Sequence, residues 1–217
     1  PVIMPICARN VASFLANEGN YYALFPFVYG RQIEKNMHTK QSIDALGIIL
    51  GLIHSRGKES DLKIDDFFKP WSKEESLNKI IAIEKKIKET NLTTDFDKIA
   101  WQTIALKKQL IESNTRTYDS FTNFGDHLLH GDYLDHNVFF NDEDEIKYLF
   151  DFEKTGYGPR SYELFRSMIY MLFSEKIDEK AIELAKIYLD SYVKIYPMPK
   201  EERASGLQIF YLKSIHS

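Results

Sequence analysis

The densest group of reactive side chains lies in one short segment between a predicted helix and a predicted strand. Residues 129–137 read LHGDYLDHN, with Asp132 directly after Gly131. A glycine beside an aspartate in a connecting segment lets the backbone approach a ligand closely, and loops on a rigid frame often carry catalytic groups. We therefore predict that this loop forms part of an active site.

A second carboxylate, Asp151, follows at the end of a predicted β-hairpin over residues 138–152. Antiparallel pairing in that hairpin would place Asn137 and Asp151 side by side, at its open end. Mg²⁺ prefers carboxylate and amide oxygens, with waters and phosphate completing its coordination. The spacing predicts a metal site at Asn137 and Asp151, with Asp132 across the loop to accept a proton from an alcohol.

These residues resemble the signature of the aminoglycoside phosphotransferase and choline kinase family. The pattern HGDxxxxN runs from His130 to Asn137, and the DFE pattern begins at Asp151. The resemblance implies a protein-kinase-like fold in which Asp132 is catalytic and Asn137 and Asp151 bind Mg²⁺ with ATP or GTP. It also implies that His130 braces the loop, and it leaves Glu153 open between supporting the metal site and facing the substrate.

The resemblance extends to a hinge for the nucleotide base. Phe25, Pro26, Phe27 and Val28 look like the family's adenine-binding segment. The carbonyl of Pro26 and the amide of Val28 would pair with the edge of the base. Proline is acceptable there because only its carbonyl group is used.

Two helical segments complete the resemblance, which covers most of the chain. Residues 46–54 are similar to the family's helix after the hinge, and residues 162–167 are similar to the helix after the metal loop. Glu163 stands where relatives usually carry Asp. This departure leaves the hydrogen bonding at the start of that helix open.

The hydrophobic pattern around these motifs predicts an α+β protein with a mostly helical C-terminal lobe. Runs at 2–7 and 21–29 predict a first hairpin, with its turn at 17–20. Helical periodicity extends from about Thr39 to Phe124 and returns from Leu164 to the end.

The predicted division is a remnant of an N-terminal β lobe with the hinge, residues 1–30, and a helical catalytic lobe, residues 31–217. No glycine-rich strand pair precedes the hinge, and the first lysine is Lys35. Because the sequence also starts at Pro1 within an apolar run, we expect that a phosphate-binding segment lies upstream. On this view the chain is inactive on its own.

Composition and charge argue against some classes of binding partner and favour one cell compartment. The net charge of −4 argues against a nucleic-acid-binding surface, which needs clustered Lys and Arg. No apolar run reaches the roughly 18 residues needed to span a bilayer. A single cysteine excludes an internal disulfide and suits a reducing compartment, so we predict a cytoplasmic protein.

The leading interpretation is a kinase that phosphorylates a hydroxyl of a small molecule. The acceptor stays open among an aminoglycoside-like antibiotic, choline or ethanolamine, a sugar and an amino alcohol, and the oligomeric state also stays open. One alternative is a pseudokinase or binding module without turnover. Another is a metal-dependent hydrolase, in which Zn²⁺ or Mn²⁺ would be bound by His130, Asp132, His136 and Asp151.

Overall fold

The described part of the chain consists of α-helices and short strands, as the α+β prediction requires. The computed structural model describes residues 2–7, 9, 12–174 and 177–217. The helices are α1 (Lys40–Gly57), α2 (Lys73–Glu89), α3 (Asp95–Ser113), α4 (Arg160–Leu172), α5 (Glu179–Ile195) and α6 (Lys200–His216). The strands are β1 (Leu15–Asn17), β2 (Asn20–Tyr22), β3 (His127–Leu129), β4 (Val138–Phe140), β5 (Ile146–Leu149) and β6 (Gly156–Gly158). None of these helices is both long and apolar enough to cross a membrane.

The strands form three separate antiparallel pairs, β1–β2, β3–β6 and β4–β5. The predicted first turn is confirmed, and β2 overlaps the start of the predicted strand 21–29, but residues 2–7 are not the other strand of this hairpin. Glu18 and Gly19 both have positive φ, 49° and 78°. That is the backbone of a two-residue hairpin turn, which pairs the residues directly beside it and so makes β1 and β2 the strands. Residues 2–7 lie outside the β1–β2 hairpin, although the Ile6 amide donates a hydrogen bond to the Leu24 carbonyl at 2.7 Å.

Helix α1 begins where the sequence predicts, directly after Thr39. Thr39 caps it, because its hydroxyl accepts a hydrogen bond from the Ser42 amide at 3.1 Å while the Ser42 hydroxyl accepts one from the Thr39 amide at 3.0 Å. The helix packs closely along α5. A Cβ at Gly47 would lie 2.5 Å from the Tyr188 carbonyl oxygen, and one at Gly51 would also meet α5. These glycines allow the two helices to touch backbone to backbone.

Two apolar clusters support the site region. The first joins α1, α4, α5 and the β4–β5 hairpin, and includes Leu46, Leu50, Leu164, Tyr188 and Tyr192. The second joins α2, α3 and α6, and includes Ile80, Ile111, Phe121, Ile209 and Leu212. The loop at 130–137 is rooted in the first cluster, since Tyr133 is fully buried and its hydroxyl donates to the Leu46 carbonyl at 2.9 Å.

Candidate active site

The β4–β5 hairpin brings the two ends of the candidate metal site together, as the sequence predicts. Val138 pairs with Leu149, and one step further the Phe150 amide donates to the Asn137 carbonyl at 3.2 Å. The Asn137 side-chain amide donates to the Asp132 carbonyl at 2.8 Å. Its Oδ1 accepts no hydrogen bond from the described residues. An amide oxygen is therefore left available beside the end of β5.

Asp151 occupies the position directly after that backbone contact. Its φ is +65°, a left-handed conformation that is uncommon for a residue other than glycine. Strained backbone of this kind costs about 1–3 kcal/mol and is concentrated at functional sites. This unusual backbone conformation occurs directly after the contact between Phe150 and Asn137, where the loop at 130–137 meets the end of the hairpin.

A cavity of about 800 Å³ lies against Asp151 and Glu153. Its walls are mostly apolar and include all four of the predicted hinge residues, Phe25, Pro26, Phe27 and Val28. Further apolar lining comes from the N-terminal segment and the hairpin, namely Val2, Ile3, Met4, Pro5, Phe139, Phe150 and Phe152. The structure thus places the predicted hinge residues and the candidate metal ligand Asp151 on one mostly apolar cavity.

The hinge backbone is available to a ligand. Within the described part of the chain, no hydrogen bond is made by the Val28 amide or the Pro26 carbonyl. Phe27 is 83% exposed, and its ring packs edge-on against Tyr29. The segment therefore offers one donor and one acceptor beside an aromatic side chain, which is what the edge and face of a purine base require.

Asp132 is nearly buried and is held by two cations. Arg166 Nη2 donates to its Oδ1 at 2.8 Å, and Lys154 Nζ donates to its Oδ2 at 3.0 Å. Burial alone would raise the pKa of Asp132, but the hydrogen bonds from Arg166 and Lys154 outweigh it and hold the pKa below its usual value. The carboxylate is therefore ionised at neutral pH, with lone pairs left to accept a hydrogen bond from a hydroxyl group.

His130 links the loop to the hairpin. Its Nε2 lies 3.1 Å from the Phe150 carbonyl oxygen, to which it donates, and its Nδ1 accepts from the Asp132 amide at 3.3 Å. Burial lowers the pKa of His130, so the ring is neutral with its proton on Nε2. His130 therefore connects the loop at 130–137 to the residue after β5 through hydrogen bonds with two backbone groups.

The buried carboxylate of Glu163, whose hydrogen bonding the sequence did not predict, binds the backbone of the same loop. Glu163 accepts hydrogen bonds from the Gly131 amide at 2.6 Å and from the His130 amide at 2.9 Å. His54 Nε2 donates to Glu163 at 2.8 Å, while the Tyr192 hydroxyl lies 2.7 Å from His54 Nδ1. Burial alone would raise the pKa of Glu163, but the hydrogen bond from His54 is the largest of several contacts that lower it. The loop therefore rests on an ionised, fully buried side chain.

Sequence reasoning missed four of these residues: His54, Lys154, Arg166 and Tyr192. His54 meets Glu163 across 109 positions of sequence, which no local pattern reveals. Arg166 was within reach, because it follows Glu163 by three positions and so shares its face of a predicted helix.

The hydrolase alternative finds no support in this geometry. Both ring nitrogens of His130 are engaged by backbone groups, and the His136 ring lies 3.5 Å from Asp135 at the surface. Among the residues the structure describes, no three His, Cys, Asp or Glu side chains are arranged to hold a metal ion. A site with one carboxylate and one amide oxygen suits Mg²⁺ better than Zn²⁺.

Comparison with known proteins identifies one family and one fold. The model of the phosphotransferase enzyme family matches residues 6–198. Among solved structures, the chain is similar to an aminoglycoside phosphotransferase from Alicyclobacillus acidocaldarius, with a TM-score of 0.59, 15% identity, and coverage of 98% of this chain and 65% of that one. It is also similar to the macrolide 2'-phosphotransferase from Brachybacterium faecium, with a TM-score of 0.54, 13% identity, and coverage of 99% and 66%.

A third similar structure is an ADP-bound aminoglycoside phosphotransferase, with a TM-score of 0.50, 14% identity, and coverage of 93% of this chain and 66% of that one. The chain matches none of the curated proteins. It spans about 65% of the length of the first of these structures. At these identities the likeness concerns the fold, and it confirms the predicted protein-kinase-like architecture.

Proposed function

The chain belongs to the phosphotransferase enzyme family, and from that membership we propose that the protein transfers the γ-phosphate of ATP or GTP to a hydroxyl of a small molecule. The observation that carries the proposal is the position of Asp132. It is an ionised, nearly buried carboxylate on a loop that shares a backbone contact with the hairpin end bearing Asp151. Such a site has an acceptor for the hydroxyl proton on one side and metal-binding oxygens on the other.

The nucleotide would occupy the 800 Å³ cavity. The base would stack on the hinge aromatics and pair with the free Val28 amide and Pro26 carbonyl. Its phosphates would then extend towards Asp151 and Glu153. In support of nucleotide use, one of the structures with a similar fold is bound to ADP.

The residues at the hairpin end fit Mg²⁺. Asn137 offers an Oδ1 that no described residue contacts by hydrogen bond, and Asp151 offers a carboxylate; both are the hard oxygen ligands that this ion prefers. Glu153 lines the same end of the cavity and would support the site from there. A bound Mg²⁺ would neutralise charge on the phosphates.

Asp132 would orient the acceptor hydroxyl and take its proton. Its low pKa makes it a weak base, which suits phosphoryl transfer, where positioning and charge stabilisation dominate. His130 and Glu163 would position the loop through backbone hydrogen bonds. Two of the similar structures are an aminoglycoside phosphotransferase and a macrolide phosphotransferase, so antibiotics are acceptors to test. Amino alcohols and sugars are tested beside them.

The test is an ADP-release screen of the full-length protein with Mg²⁺ and ATP or GTP against aminoglycosides, macrolides, choline, sugars and amino alcohols. We expect acceptor-dependent ADP release that Asp132→Asn lowers about 10²- to 10⁴-fold. Asp190→Asn, at an exposed position on α5, is the matched control and should behave as wild type. Nucleotide binding without turnover on any acceptor would favour a binding module, and wild-type turnover in Asp132→Asn would remove Asp132 from the mechanism.

A further inference from the structure

Asp132 in the candidate site forms ion pairs with two cations, Arg166 and Lys154. Arg166 is the fixed one, because only 17% of its side chain is exposed, its guanidinium lies 5.3 Å from the centre of the Tyr170 ring, and it also reaches the Gly131 carbonyl at 3.5 Å. That guanidinium pairs with Oδ1 of Asp132. The ammonium of Lys154 is a second cation beside the same carboxylate, and the Glu153 carboxylate also acts on its charge.

Lys154 combines a fixed backbone with an accessible side chain. A Cβ on Gly131 would overlap the Lys154 carbonyl group, so the two backbones lie in direct contact. Half of the Lys154 side chain is nevertheless exposed, and its only partner among the described residues is Asp132 Oδ2. An ammonium group has three N–H donors, so two of them remain for a ligand.

The described lining of the nucleotide cavity does not include Asp132 or its two cations, Lys154 and Arg166, whereas it includes Asp151 and Glu153. A hydroxyl that reaches Asp132 at hydrogen-bond distance, about 2.7 Å, comes within a few ångströms of Lys154 Nζ.

Resting on the proposed function, we infer that Lys154 is a specificity-determining residue that binds an anionic group of the acceptor. The substrate class is then a hydroxyl compound with a carboxylate or phosphate close to the reacting hydroxyl, such as a sugar acid, a phosphorylated sugar or a hydroxy amino acid. An acceptor that is cationic near its reacting hydroxyl would instead place like charge beside Lys154 and Arg166.

The test compares matched acceptors in the ADP-release assay of the full-length protein. A hexuronic acid is paired with its parent hexose, a hexose phosphate with the same hexose, and serine with ethanolamine, and an aminoglycoside serves as the polycation. We expect wild type to prefer the anionic member of at least one pair. Lys154→Met should raise KM for that member about 10- to 100-fold more than KM for the uncharged or cationic partner, which is the value of one charge-assisted hydrogen bond.

Two variants separate binding from mere support of the loop. Lys154→Arg keeps the charge and should restore the preference, while Lys186→Met, at an exposed position on α5, should leave it intact. Equal losses with both members of a pair, or a lower kcat with unchanged KM, would overturn the inference and make Lys154 a support for Asp132.

Turnover of only uncharged or cationic acceptors would likewise overturn this inference while leaving the proposed function standing. Absence of turnover with every acceptor, together with absence of Mg²⁺–ADP binding, would overturn both.

Discussion

Replacing Glu163 with Gln tests whether Glu163 anchors the loop at 130–132, because the change keeps side-chain volume and removes one charge. Glu163 accepts three hydrogen bonds, from the Gly131 amide, the His130 amide and His54 Nε2. A Gln side chain has one acceptor oxygen, so its NH₂ group must face one of these donors. Breaking a buried charged pair in this way costs about 3–5 kcal/mol.

The assay is thermal unfolding followed by circular dichroism, with Glu201→Gln on the exposed surface of α6 as the matched control. A domain of this length loses about 2–4 °C in Tm per kcal/mol, so Glu163→Gln should lower Tm by about 6–20 °C. The control should stay within a degree or two of wild type. In the full-length protein, kcat should also fall, since the backbone at 130–132 loses its anchor.

The pH dependence provides an internal check. The pKa of Glu163 in the folded protein lies below its usual value of 4.5. A carboxylate with a lowered folded-state pKa stabilises the protein fully above the unfolded pKa and loses that contribution as the pH falls through the folded one. The difference in Tm between wild type and Glu163→Gln should therefore be constant from pH 8 to 5 and narrow below about pH 4.5. A variant that unfolds within 2 °C of wild type at pH 7 would refute the anchoring role of Glu163.

Three further predictions concern the loop and the metal site. Asp151→Ala should weaken Mg²⁺-dependent nucleotide binding more than Asn137→Ala, measured by titration calorimetry of the full-length protein; unimpaired affinity in both would remove them from the metal site. Gly131→Ala should lower Tm and turnover together, because a φ of +86° costs an L-residue about 1–2 kcal/mol and the new Cβ would meet the Lys154 carbonyl; wild-type Tm would contradict this. Since the pKa of Asp132 lies below 3.8, kcat/KM should show no acid limb from this group between pH 5 and 8, and a limb that disappears in Asp132→Asn would contradict that pKa shift.

The elements that were predicted from the sequence are those whose signals are local. The β4–β5 hairpin carries strand-forming residues on both sides of a polar loop, and its turn lies where that loop lies. Helix α1 has a capping threonine at one end and Gly57 at the other. The candidate catalytic loop was predicted because its glycine, aspartates and asparagine are concentrated in nine residues.

The features that were missed depend on contacts between distant positions. Strands β3 and β6 have three residues each and pair across the whole β4–β5 hairpin, so neither shows a strand period of its own. The first hairpin was misplaced because apolar residues at 2–7 resemble a strand, although the positive φ values at 18 and 19 select nearer partners. His54 looked like an ordinary polar residue near a helix end, yet it is fully buried against Glu163.

The contact between α1 and α5 has a consequence for how loss-of-function variants of this protein should be interpreted. Gly47 lies two helical turns before His54, and any larger side chain there would push α1 off the Tyr188 backbone. A displacement of α1 would also move His54, and Glu163 would then lose the buried hydrogen-bond donor that His54 provides. A substitution at Gly47 or Gly51 would therefore lower activity in a screen, as a substitution in the candidate active site would, although neither glycine belongs to that site. Only a thermal unfolding measurement would reveal the packing defect.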